Sequence, residues 1–240
     1  MRPQIIVDNI EGRNNSIQEY HRFLNSKAYE DLSTVMVCVS RGMVPARVVR
    51  TWLSLMSPQN QKLIKIFIIG VEVGEAYNQA FDFILNHDEL KHYKYVLTIE
   101  EDNGPPADGL IKLYENMNKF DVIGGLYWTK GENGIPMVYG TPDLQGDALH
   151  IPVIPEPNSL VECNGMGMGF TLFKLDIFKD ARLERPFFKT DTSFDEETEI
   201  GRKTTQDIYF YKKARALGYK LAVDTRVKVG HYDSTKEVWW

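Results

Sequence analysis

Four short apolar runs, separated by stretches of helical periodicity, limit what the first half of this chain can become. Thr34–Ser40, Leu63–Ile69, Tyr93–Ile99 and Asp121–Tyr127 are each the length of one buried strand and are bounded by turn residues. Between them, an apolar-periodic segment follows Pro45 and ends near Met56. Glu75–Leu85 spaces Ala76, Ala80, Phe83 and Ile84 along one helical face, and Pro106 and Asp108 open a segment that does the same with Leu110, Leu113 and Met117. Alternation of this kind predicts βαβ units and an α/β, Rossmann-like fold: a mostly parallel central sheet flanked by helices.

After residue 128 the alternation breaks. Gly131, Gly134, Pro136, Gly140, Pro142, Gly146 and Pro152 mark loops and hairpins instead of a linker between two large domains. A single domain is expected over 33–233, with 1–32 preceding it or packed on it and 234–240 as a tail. A short helix at about 16–27 fits the extension.

The third run feeds directly into Glu100, Glu101 and Asp102, and Pro105-Pro106 then stops the chain. Acids placed this way sit at the C-terminal tip of a strand, the edge where open α/β sheets bind ligands. Clustered carboxylates repel unless a cation or proton intervenes, and such oxygen ligands suit Mg²⁺ or Mn²⁺. A solvated acidic turn is the plainer reading of the same residues.

A formal net charge of -5 argues against general nucleic-acid binding, since no basic stripe is present to neutralise phosphates. It leaves room for a small phosphorylated ligand. Two cysteines, Cys38 and Cys163, give no disulfide framework, and Met1–Asp8 lacks the apolar core of a signal peptide. A reducing, cytoplasmic setting is expected. No apolar stretch approaches the roughly 18 residues of a membrane span.

Further on, Asn164-Gly165-Met166-Gly167-Met168-Gly169 leads into a strand. It precedes the strand, so it fails the context of a dinucleotide-binding loop. Alternating glycines here let the backbone pass close to a ligand or to another chain segment, or mark an edge strand with a bulge. Residues 182–203, rich in charge and aromatics, read as a mobile loop over a site or as an acidic surface loop. Thr204 or Thr205 can cap a helix running to about Leu217, with Asp207 in its first turn, where the helix dipole favours an anion. Gly218 ends it, and Tyr219–Asp224 forms a further strand before His231.

In order and spacing these pieces resemble a GT-A-fold glycosyltransferase, nearest in style to the inverting family 2 and related phage and bacterial enzymes. Glu100-Glu101-Asp102 resembles the acid-any-acid metal motif, Asn164–Phe170 the glycine-rich strand of the donor and acceptor site, Gln206-Asp207 the helix start that supplies the base, and Val229-Gly230-His231 the late metal histidine. Pro186-Phe187-Phe188 resembles the proline-aromatic element before the base motif. Glu100 stands where aspartate is usual, and Gln206 replaces an acid, leaving Asp207 as the only carboxylate of its pair.

The resemblance implies a metal-dependent transfer of sugar from a nucleoside-diphosphate sugar to an acceptor hydroxyl. Mn²⁺ or Mg²⁺ would be held by Glu100, Asp102 and His231, and Asp207 would be the general base of an inverting reaction. If Asp207 only positions substrate, the reaction could be retaining. Ser40, Arg41 and Glu101 fall where the family receives the nucleotide, Trp128 offers a sugar-stacking platform, and Asn164, Gly165, Gly167 and Phe188 line the donor and acceptor side. A nucleotidyltransferase of similar fold is one alternative, though Ser40-Arg41-Gly42 is short for its phosphate loop. A non-catalytic nucleotide- or carbohydrate-binding module is another.

Overall fold

A computed structural model of the chain describes residues 30–59, 61–143, 151–195 and 200–240. The helix expected at about 16–27 lies outside them. The first half runs β1 (Thr34–Ser40), α1 (Ala46–Leu53), β2 (Leu63–Ile69), α2 (Val73–Asn86), β3 (Tyr95–Glu100), β4 (Asn103–Gly104), α3 (Gly109–Tyr114) and β5 (Val122–Leu126). The second half is strand-rich: β6 (Val138–Tyr139), β7 (Leu160–Glu162), β8 (Gly165–Met166), β9 (Phe170–Lys174), β10 (Asp191–Asp195) and β11 (Ile200–Thr204). It ends with α4 (Gln206–Ala216), β12 (Leu221–Lys228), β13 (Gly230–Asp233) and β14 (Val238–Trp239).

The central sheet has seven strands in the order β2-β1-β3-β9-β5-β12-β7. β2, β1, β3, β5 and β12 share one direction, while β9 and β7 run against it. Strands β1 to β3 follow the expected βαβ order. β5 does not join β3, because β9 inserts antiparallel between them, pairing Ile99 with Phe170 on one side and Gly124 with Thr171 on the other. The glycine pattern at 165–169 therefore leads into the middle of the sheet, not to an edge. Gly124-Gly125 of β5 makes room for both layers: added Cβ atoms would press on the Met166 sulfur at 2.6 Å and on Val229 at 2.6 Å.

Two apolar layers cover the sheet. One packs Ala76, Tyr77, Ala80, Phe81 and Ile84 of α2 and Phe210 and Ala214 of α4 against β1, β3 and β9; the other packs Leu110, Ile111 and Leu113 of α3 on the opposite face. Phe83, expected on the buried face of α2, is 52% exposed, and Tyr77 and Phe81 take its place on the inner stripe. Residues 182–203 are not one loop: β10 and β11 pair antiparallel from Asp191↔Thr204 to Asp195↔Ile200. Residues 234–240, expected as a tail, dock on the body. β14 pairs with β13, and Trp239 lies against Gly104 and Gly230, where an added Cβ would meet its ring at 2.5 Å and 2.6 Å.

Candidate active site at the C-terminal edge of the sheet

The three acids at the tip of β3 have three different surroundings. Glu101 is buried and turned toward β1. It accepts hydrogen bonds from the Ser40 hydroxyl at 2.7 Å, the Arg41 backbone N–H at 2.8 Å and the Arg41 guanidinium at 2.5 Å. Burial alone would raise this carboxyl's pKa, but these donors outweigh it and hold the pKa below its ordinary value. Ser40, Arg41 and Glu101 thus brace one another. They form one wall of a cleft of about 350 Å³, which Val71, Glu72 and Val73 close opposite and into which Glu100 and Asp102 also open.

Asp102 lies beside His231. The histidine arrives because β13 pairs with β4, matching His231 with Asn103, and because the Tyr232 N–H bonds the Asp102 carbonyl at 2.7 Å. The ring's Nδ1 is 2.8 Å from the Trp128 carbonyl oxygen, which can only accept, so Nδ1 carries the hydrogen and Nε2 is directed at Asp102 Oδ2, 3.5 Å away. Lys130, two residues beyond Trp128, sets its ammonium 2.5 Å from the same Oδ2. Burial pushes the Asp102 carboxyl up; His231 and Lys130 outweigh this and bring it down to about 2.

Glu100 is the opposite case. Burial, then the negative charges of Asp102 and Asp207, push it up to about 8, and Lys130 only partly offsets them. Asp207 sits in the first turn of α4, 5% exposed, and burial raises its pKa as well. The expected cap is inverted: Thr205 is the N-cap residue, but its hydroxyl bonds Asp207 Oδ1 instead of a backbone N–H, and the Ile208 N–H donates to the same oxygen at 2.8 Å. Gln206 lies against Gly74 at the start of α2, so α2 and α4 present their N-termini at one edge. Behind that edge the Tyr77 hydroxyl is buried without a partner among the described residues, and burial, with the nearby negative charges of Glu100 and Asp207, pushes the Tyr77 and Tyr211 hydroxyls well above their ordinary pKa.

The structure brings Asp102 and His231 together, and Glu100 feels the charges of both Asp102 and Asp207. It does not assemble the expected ligand triad of Glu100, Asp102 and His231: among the described residues no three His, Cys, Asp or Glu side chains stand close enough to hold a metal ion. The donor set is a pair with a lysine ammonium on it, and it does not fit a resident divalent ion.

Other expected positions also change character. Phe188 is 1% exposed and stacks among Tyr77, Phe81 and Phe210, so it is core and not an acceptor contact. Gly165 and Gly167 are buried against protein: a Cβ on Gly167 would run into the Tyr127 hydroxyl, and one on Gly165 would press on Ile208 and Tyr211. Their close approach is to other chain segments. Asn164 is fully buried, and both polar atoms of its amide lack a partner among the described residues. Trp128 keeps an exposed ring beside the His231 contact, whereas its neighbour Tyr127 is core. Sequence reasoning missed Lys130, one lysine in a glycine-rich loop, and Trp239, whose role depends on a strand pairing that no local pattern shows.

No family model and no curated protein matches the chain. Among solved structures it is similar to A197 from STIV, with a TM-score of 0.58 at 20% identity over 84% of this chain and 86% of that one. S. aureus TarS is also matched, in its 1–349 form at TM-score 0.41 and 11% identity, covering 79% of this chain and 57% of that one. The first likeness establishes a shared fold.

Proposed function

We propose that this chain is a glycosyltransferase that moves a sugar from a nucleoside-diphosphate sugar to an acceptor hydroxyl, with inversion at the sugar carbon. What supports the reading is the seating of His231 and Lys130 on Asp102 beside the cleft that Ser40, Arg41 and Glu100 line, with the base candidate Asp207 buried in the first turn of α4. The cleft between Arg41 and Glu72 would take the nucleoside part of the donor. The acceptor hydroxyl gives its proton to Asp207 as its oxygen bonds the sugar carbon. The carbon–oxygen bond to the diphosphate breaks, and its electron pair leaves with the diphosphate. Attack from the face opposite the leaving group inverts the configuration. No step is assigned to Mn²⁺ or Mg²⁺, because the donor set does not fit one.

No helix among the described residues is long and apolar enough to cross a membrane. Two buried free thiols, Cys38 and Cys163, fit a reducing, cytoplasmic setting.

The test is incubation with a panel of sugar nucleotides and mixed glycan, lipid-linked and protein acceptors, with chromatography of the nucleotide products. Release of nucleoside diphosphate, and a product anomer opposite to the donor's by NMR, is the expected result. Release of pyrophosphate would assign the chain to nucleotidyl transfer instead. Binding without turnover across the panel would leave a non-catalytic module.

A further inference from the structure

We infer that Lys130 is the cation that receives the donor's diphosphate, so that nucleotide binding at this site needs no divalent ion. The inference rests on the sugar-nucleotide reading and adds to it a substrate-contacting residue.

A diphosphate brought to the edge that carries the ionised Asp102 meets like charge, and breaking its bond to the sugar adds more negative charge to it. Positive charge must therefore stand at that edge. Arg41, at the lip of the cleft, has its Nε engaged by Glu101. Lys130 is differently placed: its ammonium is seated on Asp102 Oδ2 at 2.5 Å while its side chain remains 33% exposed. An ammonium has three hydrogens in tetrahedral array. One bond to Asp102 leaves the others available to phosphate oxygens, with the carboxylate fixing the direction of the group.

The backbone that carries Lys130 is tied down. The Thr129 N–H bonds the Ile135 carbonyl at 2.9 Å, the Ile135 N–H returns to the Thr129 hydroxyl at 2.9 Å, and the Gly134 N–H bonds the Gly131 carbonyl at 3.0 Å. Gly131 takes φ +112°, and Gly134 passes so close to the Thr129 carbonyl that no side chain would fit. The same hairpin fixes His231 through the Trp128 carbonyl. One short turn thus supplies Lys130 and orients His231, the two groups that hold Asp102, and it delivers positive charge without the oxygen cage a divalent ion requires. Transition-state charge is best met by groups already in place, as this one is.

The experiment is calorimetric titration of the wild type, Lys130→Ala, Lys130→Met and Lys130→Arg with UDP, GDP, CDP and ADP, and with the matching nucleosides, in excess EDTA and again with Mn²⁺. The expected result is that the wild type binds at least one nucleoside diphosphate in EDTA and that Lys130→Ala and Lys130→Met weaken it tenfold or more. Lys130→Arg should recover part of the loss, and nucleoside affinity should not change. Melting temperatures identify any variant that fails to fold, and Lys130→Met keeps the aliphatic stem should alanine disturb the hairpin. Equal affinity in the wild type and both neutral variants overturns the inference, and so does wild-type binding that appears only with Mn²⁺ or not at all. Lysine-dependent binding without turnover of any sugar nucleotide would sink glycosyl transfer and leave the inference standing. Undiminished turnover in Lys130→Ala would do the reverse.

Discussion

The imidazole of His231 faces the carboxylate of Asp102 with Nε2 3.5 Å from Oδ2, and β13 is stitched to the turn that carries Asp102 by the Tyr232 N–H on the Asp102 carbonyl. With Lys130 on the same oxygen, the folded protein holds this carboxyl at about 2, from an ordinary 3.8. A group lowered on folding stabilises the native state above its unfolded pKa and loses that contribution as pH falls through the folded value. Asp102→Asn is therefore expected to lower unfolding stability at pH 7 by on the order of 2 kcal/mol, at roughly 1.4 kcal/mol per unit. The difference from wild type should close between about pH 4 and pH 2. Urea titrations across that range check it; a gap that does not depend on pH would show that the contact contributes by packing and not by charge.

Glu100 carries the opposite sign. Burial and its acidic neighbours raise it to about 8, so between its ordinary 4.5 and that value the folded state holds a proton that the unfolded chain has lost. Stability from this group is complete below about pH 4.5 and declines as pH rises through 8. Glu100→Gln, which keeps the shape and removes the titration, is expected to flatten the fall in melting temperature between pH 5 and pH 8.5. An unchanged slope would mean that Glu100 is ionised in the folded protein throughout.

Phe188 separates a core role from a site role. Its ring lies 5.1 Å from Phe210 and 5.3 Å from both Tyr77 and Phe81, centroid to centroid, and it is 1% exposed. Phe188→Ala is expected to cost roughly 3–5 kcal/mol of stability through the cavity it leaves. Phe188→Leu should cost less and leave substrate KM within about twofold of wild type, since volume is largely conserved. A KM change without a change in melting temperature would return Phe188 to the acceptor side.

Much of the framework was legible because it rests on local pattern. β1 and β2 are apolar runs bounded by turn signals, and α4 begins just after Thr205 and ends before Gly218, at φ +89°. What was hidden depends on pairing between distant segments. β9 enters the sheet centre antiparallel, which periodicity cannot distinguish from a parallel strand or an edge strand. Asn164–Gly169 looks like a ligand-facing backbone because glycine signals only close approach, and here the near neighbours are Tyr127 and Asn103. Trp239 reads as an isolated aromatic until Gly104 and Gly230 are seen beneath it.

That docking has a consequence for His231. The residue exchanges two backbone hydrogen bonds with Trp240, each 3.0 Å, while Trp239 covers Gly104 and Gly230 on the two paired strands. Trp239→Ala is expected to loosen the β13–β4 seam, lowering the melting temperature. Hydrogen exchange at the Tyr232 amide, bonded to the Asp102 carbonyl, should accelerate tenfold or more, with little change at Val96 in the sheet centre. Equal protection at Tyr232 in the variant would show that β13 holds its place without the indole.

Asp207 gives the sharpest test of the proposed chemistry, because its isostere can keep the structure and lose the base. Oδ1 accepts from the Thr205 hydroxyl and the Ile208 N–H, and an asparagine carbonyl oxygen can accept both. Asp207→Asn should therefore fold, and it should melt no lower than wild type at pH 7, since burial raises the pKa of this carboxyl and disfavours its charge. Turnover should fall by roughly 10²–10⁴, the usual contribution of a positioned base, with nucleoside diphosphate affinity within about twofold of wild type. The ionised form is the active one, so the acid limb of kcat/KM should lie above the ordinary carboxylate range. Thr205→Val, which removes a hydrogen bond that favours the ionised form, should move that limb to still higher pH. Turnover in Asp207→Asn above a tenth of wild type would leave the acceptor's proton without this base, and inversion would then need another residue at the same edge.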